Sequence, residues 1–108
     1  MPTAKVIRYT TTQAAADENQ RLVESVFAEL AESRPEGLQY ATIRLDDGVS
    51  FVHVAVLDGE DNPLLRSPAF ASFQEGLPTR LVEPPVVVDG QVVGSYRMLD
   101  LPDGAHPA

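Results

Sequence analysis

Leu38-Gln39-Tyr40-Ala41-Thr42-Ile43-Arg44, then Leu45-Asp46-Asp47-Gly48-Val49, then Ser50-Phe51-Val52-His53-Val54-Ala55-Val56-Leu57 is the stretch that decides the fold. Two runs rich in β-branched and aromatic residues flank Asp47-Gly48, a dipeptide suited to the positive φ angles of a tight primed turn, so the stretch reads as a β-hairpin. Closing the turn there sets Arg44 opposite Phe51, Ile43 opposite Val52, Thr42 opposite His53, Ala41 opposite Val54 and Tyr40 opposite Ala55. Side chains alternate along a strand, so two distinct faces result. One face, with Ala41, Ile43, Val52 and Val54, is small and aliphatic and is expected to lie under helices. The other carries Tyr40, Thr42, Arg44, Phe51 and His53, and is expected to wall a semi-polar cavity or an interface.

Upstream, Lys5-Val6-Ile7-Arg8-Tyr9 alternates and reads as a first strand. Thr10 to Gln13 offers hydroxyls to cap a helix starting between Ala14 and Asp17, and Asp17 and Glu18 suit the positive end of its dipole. Leu22, Val23, Val26, Phe27 and Leu30 recur at helical spacing; Glu24, Glu29 and Glu32 fall off that stripe and read as a solvated face. Arg34-Pro35-Glu36-Gly37 stops the helix. Downstream, Asp58 to Pro63 is an acidic turn whose spacing does not match a calcium-binding loop, so it reads as solvated. Ser67-Pro68 opens a second helix with Phe70, Phe73 and Leu77 on one face, limited by Gly76 and Pro78. Val86 to Tyr96 is either a hairpin turned at Asp89-Gly90 or one long closing strand with a bulge there.

The 108-residue length allows one domain, expected over residues 1–100 with a frayed tail at 101–108 that includes His106. Absence of cysteine removes disulfides, thiolate nucleophiles and cysteine-based metal sites. The net charge of −8, with no cluster of basic residues, argues against nucleic acid and anionic membrane surfaces as partners. No apolar run is long enough to span a bilayer and no signal core opens the chain, so a cytoplasmic location is expected. Two distant histidines offer no metal constellation.

The element order is strand, helix, strand, strand, helix, strand: a ferredoxin-like βαββαβ α+β fold with an antiparallel four-stranded sheet and two helices on one face. Val6-Ile7-Arg8-Tyr9 before the helix, Phe51-Val52-His53-Val54 after Asp47-Gly48, Ser67-Pro68-Ala69-Phe70 to Phe73, and the valine-rich run ending Gly94-Ser95-Tyr96 together resemble the dimeric α+β barrel superfamily. That superfamily includes antibiotic biosynthesis monooxygenase-like proteins, and the resemblance covers about residues 3 to 99. It implies one long closing strand, and a homodimer whose sheets face each other and close a barrel around a cavity. It further implies cofactor-free oxidation of polyketide-like phenols, or haem degradation. The second helix holds no histidine for haem iron, so no cofactor and no metal is expected.

A sheet covered on one face needs a partner on the other, where Phe51, Tyr40 and Val6 are expected. His53, whose ordinary pKa lies near neutrality, is the candidate catalytic base for a phenol or enol. Arg44 or Arg8 would hold the resulting anion, Tyr40 or Phe51 would stack on an aromatic ring, and Thr42 would line the same wall. The plainer alternatives are a His53 hydrogen-bonded to Thr42 and inert, and an Arg44 paired with Asp46 or Asp47. Two functions follow: a cofactor-independent oxygenase or isomerase for a small aromatic or enolisable substrate, or a non-catalytic small-ligand-binding or accessory dimer. The second draws on the lack of tryptophan and of a second catalytic group beside His53.

Overall fold

The computed structural model describes residues 2–98, so the expected tail at 101–108 and His106 lie outside the described residues. Strand β1 (Thr3–Thr10) leads through a single 3-10 turn into helix α1 (Ala16–Ser33); the hairpin β2 (Leu38–Arg44) and β3 (Ser50–Leu57) follows, then helix α2 (Pro68–Arg80) and strand β4 (Val86–Gln91). The sheet order is β2-β3-β1-β4, antiparallel throughout. This is the expected α+β ferredoxin-like arrangement, with β1 and β3 central.

The hairpin register is as expected, from Tyr40 opposite Ala55 to Arg44 opposite Phe51. Its turn is not. Only Gly48 takes a positive φ, +81°, and its N–H bonds the Leu45 carbonyl at 3.0 Å while Leu45 N–H bonds Ser50 across the loop at 2.8 Å. Asp47 stays at negative φ and uses its carboxylate instead, accepting from the backbone N–H groups of Val49 and Ser50 and from the Ser50 hydroxyl at 2.6 Å. An Asx-type cap thus competes successfully with the primed turn, and the register survives because both close the same pair of strands.

The two faces are exchanged relative to the sequence expectation. Phe51, His53, Ala55 and Leu57 of β3 and Tyr9 of β1 are buried, and Tyr9, Phe51 and Ala55 form one core with Val23 and Val26 of α1 and Phe70 and Phe73 of α2. The aromatic-rich face therefore lies under the helices, because large rings bury the most apolar area and fill the gap between layers. Its polar atoms are tolerated there because they bond one another. The aliphatic face, with Val6, Ala41, Ile43, Val52, Val54 and Val88, carries no helix. Val6 and Phe51 consequently stand on opposite faces rather than together.

Smaller departures have local causes. Thr12 caps the 3-10 turn, accepting from Ala15 N–H, so α1 proper begins at Ala16; it ends at Arg34, which takes a left-handed φ of 45°. Glu29 is not solvated: its carboxylate accepts from the Ser67 hydroxyl at 2.6 Å and from Ala69 N–H at 3.0 Å, tying α1 to the start of α2. Ser67 in turn caps α2 through Phe70 N–H. α2 runs past Pro78 to Arg80, whose guanidinium folds back to donate to the Phe73 carbonyl at 2.9 Å. Gly76 makes room for that return, since a Cβ there would stand 2.7 Å from Arg80 Nη1. β4 forms no hairpin and no bulge; it runs straight against β1, with Asp89 opposite Lys5 and paired to it at 2.9 Å.

Candidate functional site

A polar chain crosses the core between the sheet and the helices. Arg80 Nε donates to Asn19 Oδ1 at 3.0 Å, and Asn19 Nδ2 donates to the Tyr9 hydroxyl at 3.0 Å. Tyr9 Oη lies 2.6 Å from His53 Nε2, and Tyr40 Oη and Thr42 Oγ1 lie 2.6 and 3.1 Å from His53 Nδ1. Tyr9 and His53 come from the two central strands, where the register sets Ile7 opposite His53 and Tyr9 opposite Phe51. Asn19 comes from α1, Arg80 from the end of α2, and Tyr40 and Thr42 from β2. Asn19 is wholly buried, His53 is 2% exposed and Arg80 6%. Buried polar groups are costly unless bonded, and none of the buried side-chain polar atoms among the described residues lacks a partner.

Counting protons assigns the direction of the chain. Burial lowers the His53 pKa to about 4, so the ring is neutral and one nitrogen donates while the other accepts. Were Nε2 the donor, Tyr9 Oη would accept from both Asn19 and His53 and its own proton would have no acceptor. With Nδ1 protonated the bonds run one way: Arg80 to Asn19, Asn19 to Tyr9, Tyr9 to His53 and His53 to Tyr40, whose own proton is left for a partner outside the core. All donors then point away from the guanidinium, and each bond polarises the next.

The same burial shapes the other groups. Tyr9 is pushed up to about 12 by desolvation, opposed by its bond from Asn19 and by the Arg80 charge. Tyr40 is also raised, chiefly by desolvation. Burial lowers Arg80 somewhat, against the attraction of Glu18 and Tyr9. Its guanidinium also lies 5.3 Å from the Phe73 ring centre, a cation–π contact. Neither tyrosine releases a proton at neutral pH, and His53 is a poor base while enclosed. What the chain supplies is a row of neutral hydrogen-bond donors biased by one buried positive charge.

Of the residues singled out in the sequence, His53, Tyr40 and Thr42 meet here, and Phe51 packs beside them, its ring 5.6 Å from Tyr9. Arg44 stands at the rim: Nε and Nη2 donate to its own turn's Gly48 carbonyl, and Nη1 to Gln20 and to Asp17 of α1, rather than to Asp46 or Asp47. Arg8 lies on the opposite, helix-free face, between Val52 and Val86, and cannot share an anion with Arg44. The sequence motifs do not single out Asn19, Arg80 or Tyr9 as site residues. Asn19 sits on the helical stripe of Val23 and Val26, and Arg80 on that of Phe73 and Leu77; a polar residue on an apolar stripe is the signal for both.

The chain has one member at an opening. Tyr40 is half-buried, stacks on Phe27 at 5.1 Å, and lines a cleft of about 440 Å³ between the C-terminal end of α1 and β2. Among the described residues no group of three or more His, Asp or Glu side chains is placed to hold a metal. No helix among the described residues is long and apolar enough to cross a membrane.

No family model and no curated protein matches the sequence. Solved structures do resemble the fold. Rv0793 from Mycobacterium tuberculosis aligns over 88% of this chain and 98% of its own, at 15% identity and a TM-score of 0.71. SnoaB, a cofactor-independent oxygenase from Streptomyces nogalater, aligns over 87% and 95%, at 20% identity and a TM-score of 0.66. The ActVA-Orf6 monooxygenase of Streptomyces coelicolor, solved with nanaomycin D, aligns over 88% and 90%, at 20% identity and a TM-score of 0.62. At such identities the likeness speaks for architecture, and the architecture is that of the antibiotic biosynthesis monooxygenase-like proteins.

Proposed function

We propose that this protein is a homodimeric, cofactor-independent monooxygenase-like enzyme for a small aromatic or enolisable substrate, with its site inside each protomer rather than between two sheets. The observation that carries this reading is the directed chain from Arg80 to Tyr40. A reaction of this class runs through the electron-rich phenolate or enolate form of the substrate, its proton given up to solvent at the open cleft, and a donor already aligned by the chain stabilises that oxyanion without reorganising. For a phenol the balance is closed by dioxygen alone: one oxygen atom enters the ring to give a quinone, the other leaves as water, and the substrate supplies all the electrons. The fold shared with a cofactor-independent oxygenase supports the same reading. The exposed aliphatic face, with Ile43, Val86 and Val88, supports the homodimer, since a second copy would cover it.

His53 is not the base that reacts first. Its enclosed, weakly basic ring orients Tyr40, so Tyr40 is the group nearest a substrate. Tyr40→Phe keeps the ring against Phe27 and removes the terminal hydroxyl. Oxygen consumption across a panel of phenols and enolisable ketones is expected in the wild type, with kcat falling on the order of 100-fold in the variant. Wild-type turnover that Tyr40→Phe leaves unchanged would refute the role of the chain.

One observation favours a second reading, a non-catalytic ligand-binding or accessory dimer: both His53 nitrogens are occupied and the ring is sealed from solvent. Absence of oxygen uptake on the whole panel, with a bound small molecule on the purified protein by native mass spectrometry, would select it.

A further inference from the structure

Beside Tyr40 lies a cleft lined mostly by apolar side chains. Phe27, Leu30 and Ala31 of α1 and Leu38 and Tyr40 of β2 make its walls, and its volume of about 440 Å³ lies in the range of small-molecule sites. Two of its walls, Phe27 and Tyr40, are rings stacked on each other 5.1 Å apart, an aromatic pair that a third ring could extend at its edge. The one charged side chain on the cleft is Arg34. Among the described residues Arg34 forms no ion pair, whereas Arg44 and Arg66 each pair with an aspartate.

The backbone at Arg34 adds to this. It caps α1 with φ 45° and ψ 58°, the left-handed conformation that glycine adopts most readily and that costs another residue roughly 1 kcal/mol. A cation at a helix C-terminus recovers part of that cost through the dipole. Glycine would remove the strain altogether, and the chain does place a glycine with φ +81° three residues on, at Gly37. Arg34, exposed and in no ion pair among the described residues, borders an otherwise apolar cleft. The acidic net charge of the chain opposes an anion at long range, but salt screens that field beyond about 8 Å, so a direct contact with Arg34 dominates inside the cleft.

We infer that this cleft binds a small aromatic carboxylate, its ring against Phe27 and Tyr40 and its carboxylate on Arg34. This deepens the proposed activity by giving its substrate a place, and rests on that reading only for the chemistry that follows binding.

The test is binding without turnover. 2-Naphthoate and its neutral analogue 2-naphthamide are titrated into the intact protein and followed by amide chemical shifts. Naphthoate is expected to move Phe27, Leu30, Ala31 and Leu38, and to bind about ten times more tightly than the amide. Arg34→Gln should erase that difference, and Arg34→Lys should restore part of it, because a point charge replaces the fork. Equal binding of acid and amide, shifts that map elsewhere, or no saturable shift at all would each overturn the inference. Oxygen uptake is not read here, so an inactive protein that binds naphthoate sinks the enzymatic reading alone, and an active one that ignores it sinks only the site.

Discussion

On one side of β3, Phe51, His53 and Ala55 are buried beneath helices; on the other, Val52, Val54 and Val56 are only partly covered. Adjacent residues of a single strand thus belong to two different kinds of surface. The helix side holds rings and polar atoms together, and among the described residues none of the buried polar atoms lacks a bond. The helix-free side is mostly aliphatic, with Arg8 and Gln39 among its valines, and among the described residues no helix lies over it. Polarity alone therefore does not tell which face is the core. Ring volume does, provided that every buried polar atom finds a partner.

The sharpest way to break the comparison is Asn19→Leu. Leucine is close in size and suits a helix, so a core held by shape alone would lose less than about 1.5 kcal/mol. But Asn19 is the joint between a buried guanidinium and the Tyr9 hydroxyl. Stranding a buried charge costs about 3–5 kcal/mol, and that is the loss expected in urea unfolding, with the m-value unchanged. A loss under about 1 kcal/mol would mean that the polar chain contributes nothing to the helix side.

These joints also mark how much was legible in the sequence. Element order, hairpin register and the two helical stripes follow from short-range rules: alternation, periodicity and the residues that end helices. Which face meets the helices does not, because it depends on whether Tyr40, Thr42 and His53 can satisfy one another, and two of their partners, Tyr9 and Asn19, come from other elements. Arg8 shows the cost of missing this: alternation alone put it with the pocket residues, and the register between β1 and β3 puts it opposite. The extension of α2 was hidden similarly, since Pro78 is a local stop signal and the Arg80 contacts that hold the last turn are with Asn19 and Phe73.

A second expected effect comes from acid. His53 has its pKa lowered from 6.5 to about 4 in the folded protein, so the unfolded chain takes up a proton first as pH falls. Stability should therefore be constant above about pH 7 and decline between 6.5 and 4; by pH 5 the loss is about 2 kcal/mol. Asp47 and Asp61, held below the usual carboxylate range, add their own losses only at lower pH. Unfolding free energies at pH 7.5, 6 and 5 measure this slope. In His53→Gln, which keeps a donor and an acceptor in place of the ring, the slope over that window should vanish. A slope that persists in the variant would assign the acid sensitivity to another group.

The smallest effect on the protomer itself belongs to the other face. Val54→Lys puts a charge at the middle of the helix-free side, opposite Ala41 on one neighbour strand and Val6 on the other. Within one chain this is a surface change: the lysine stem covers its neighbours, the ammonium stays in water, and the protomer's stability should shift by no more than about 0.5 kcal/mol. Between two copies it is a buried like-charge pair at a two-fold contact, repeated on both sides. Light scattering should then give twice the chain mass for the wild type and one chain mass for Val54→Lys, at nearly equal protomer stability. A wild-type monomer would leave the valines as bare surface and remove the dimer from the proposal. A variant that stays dimeric would move the interface off this face, to the exposed edge of β4 or to the helices.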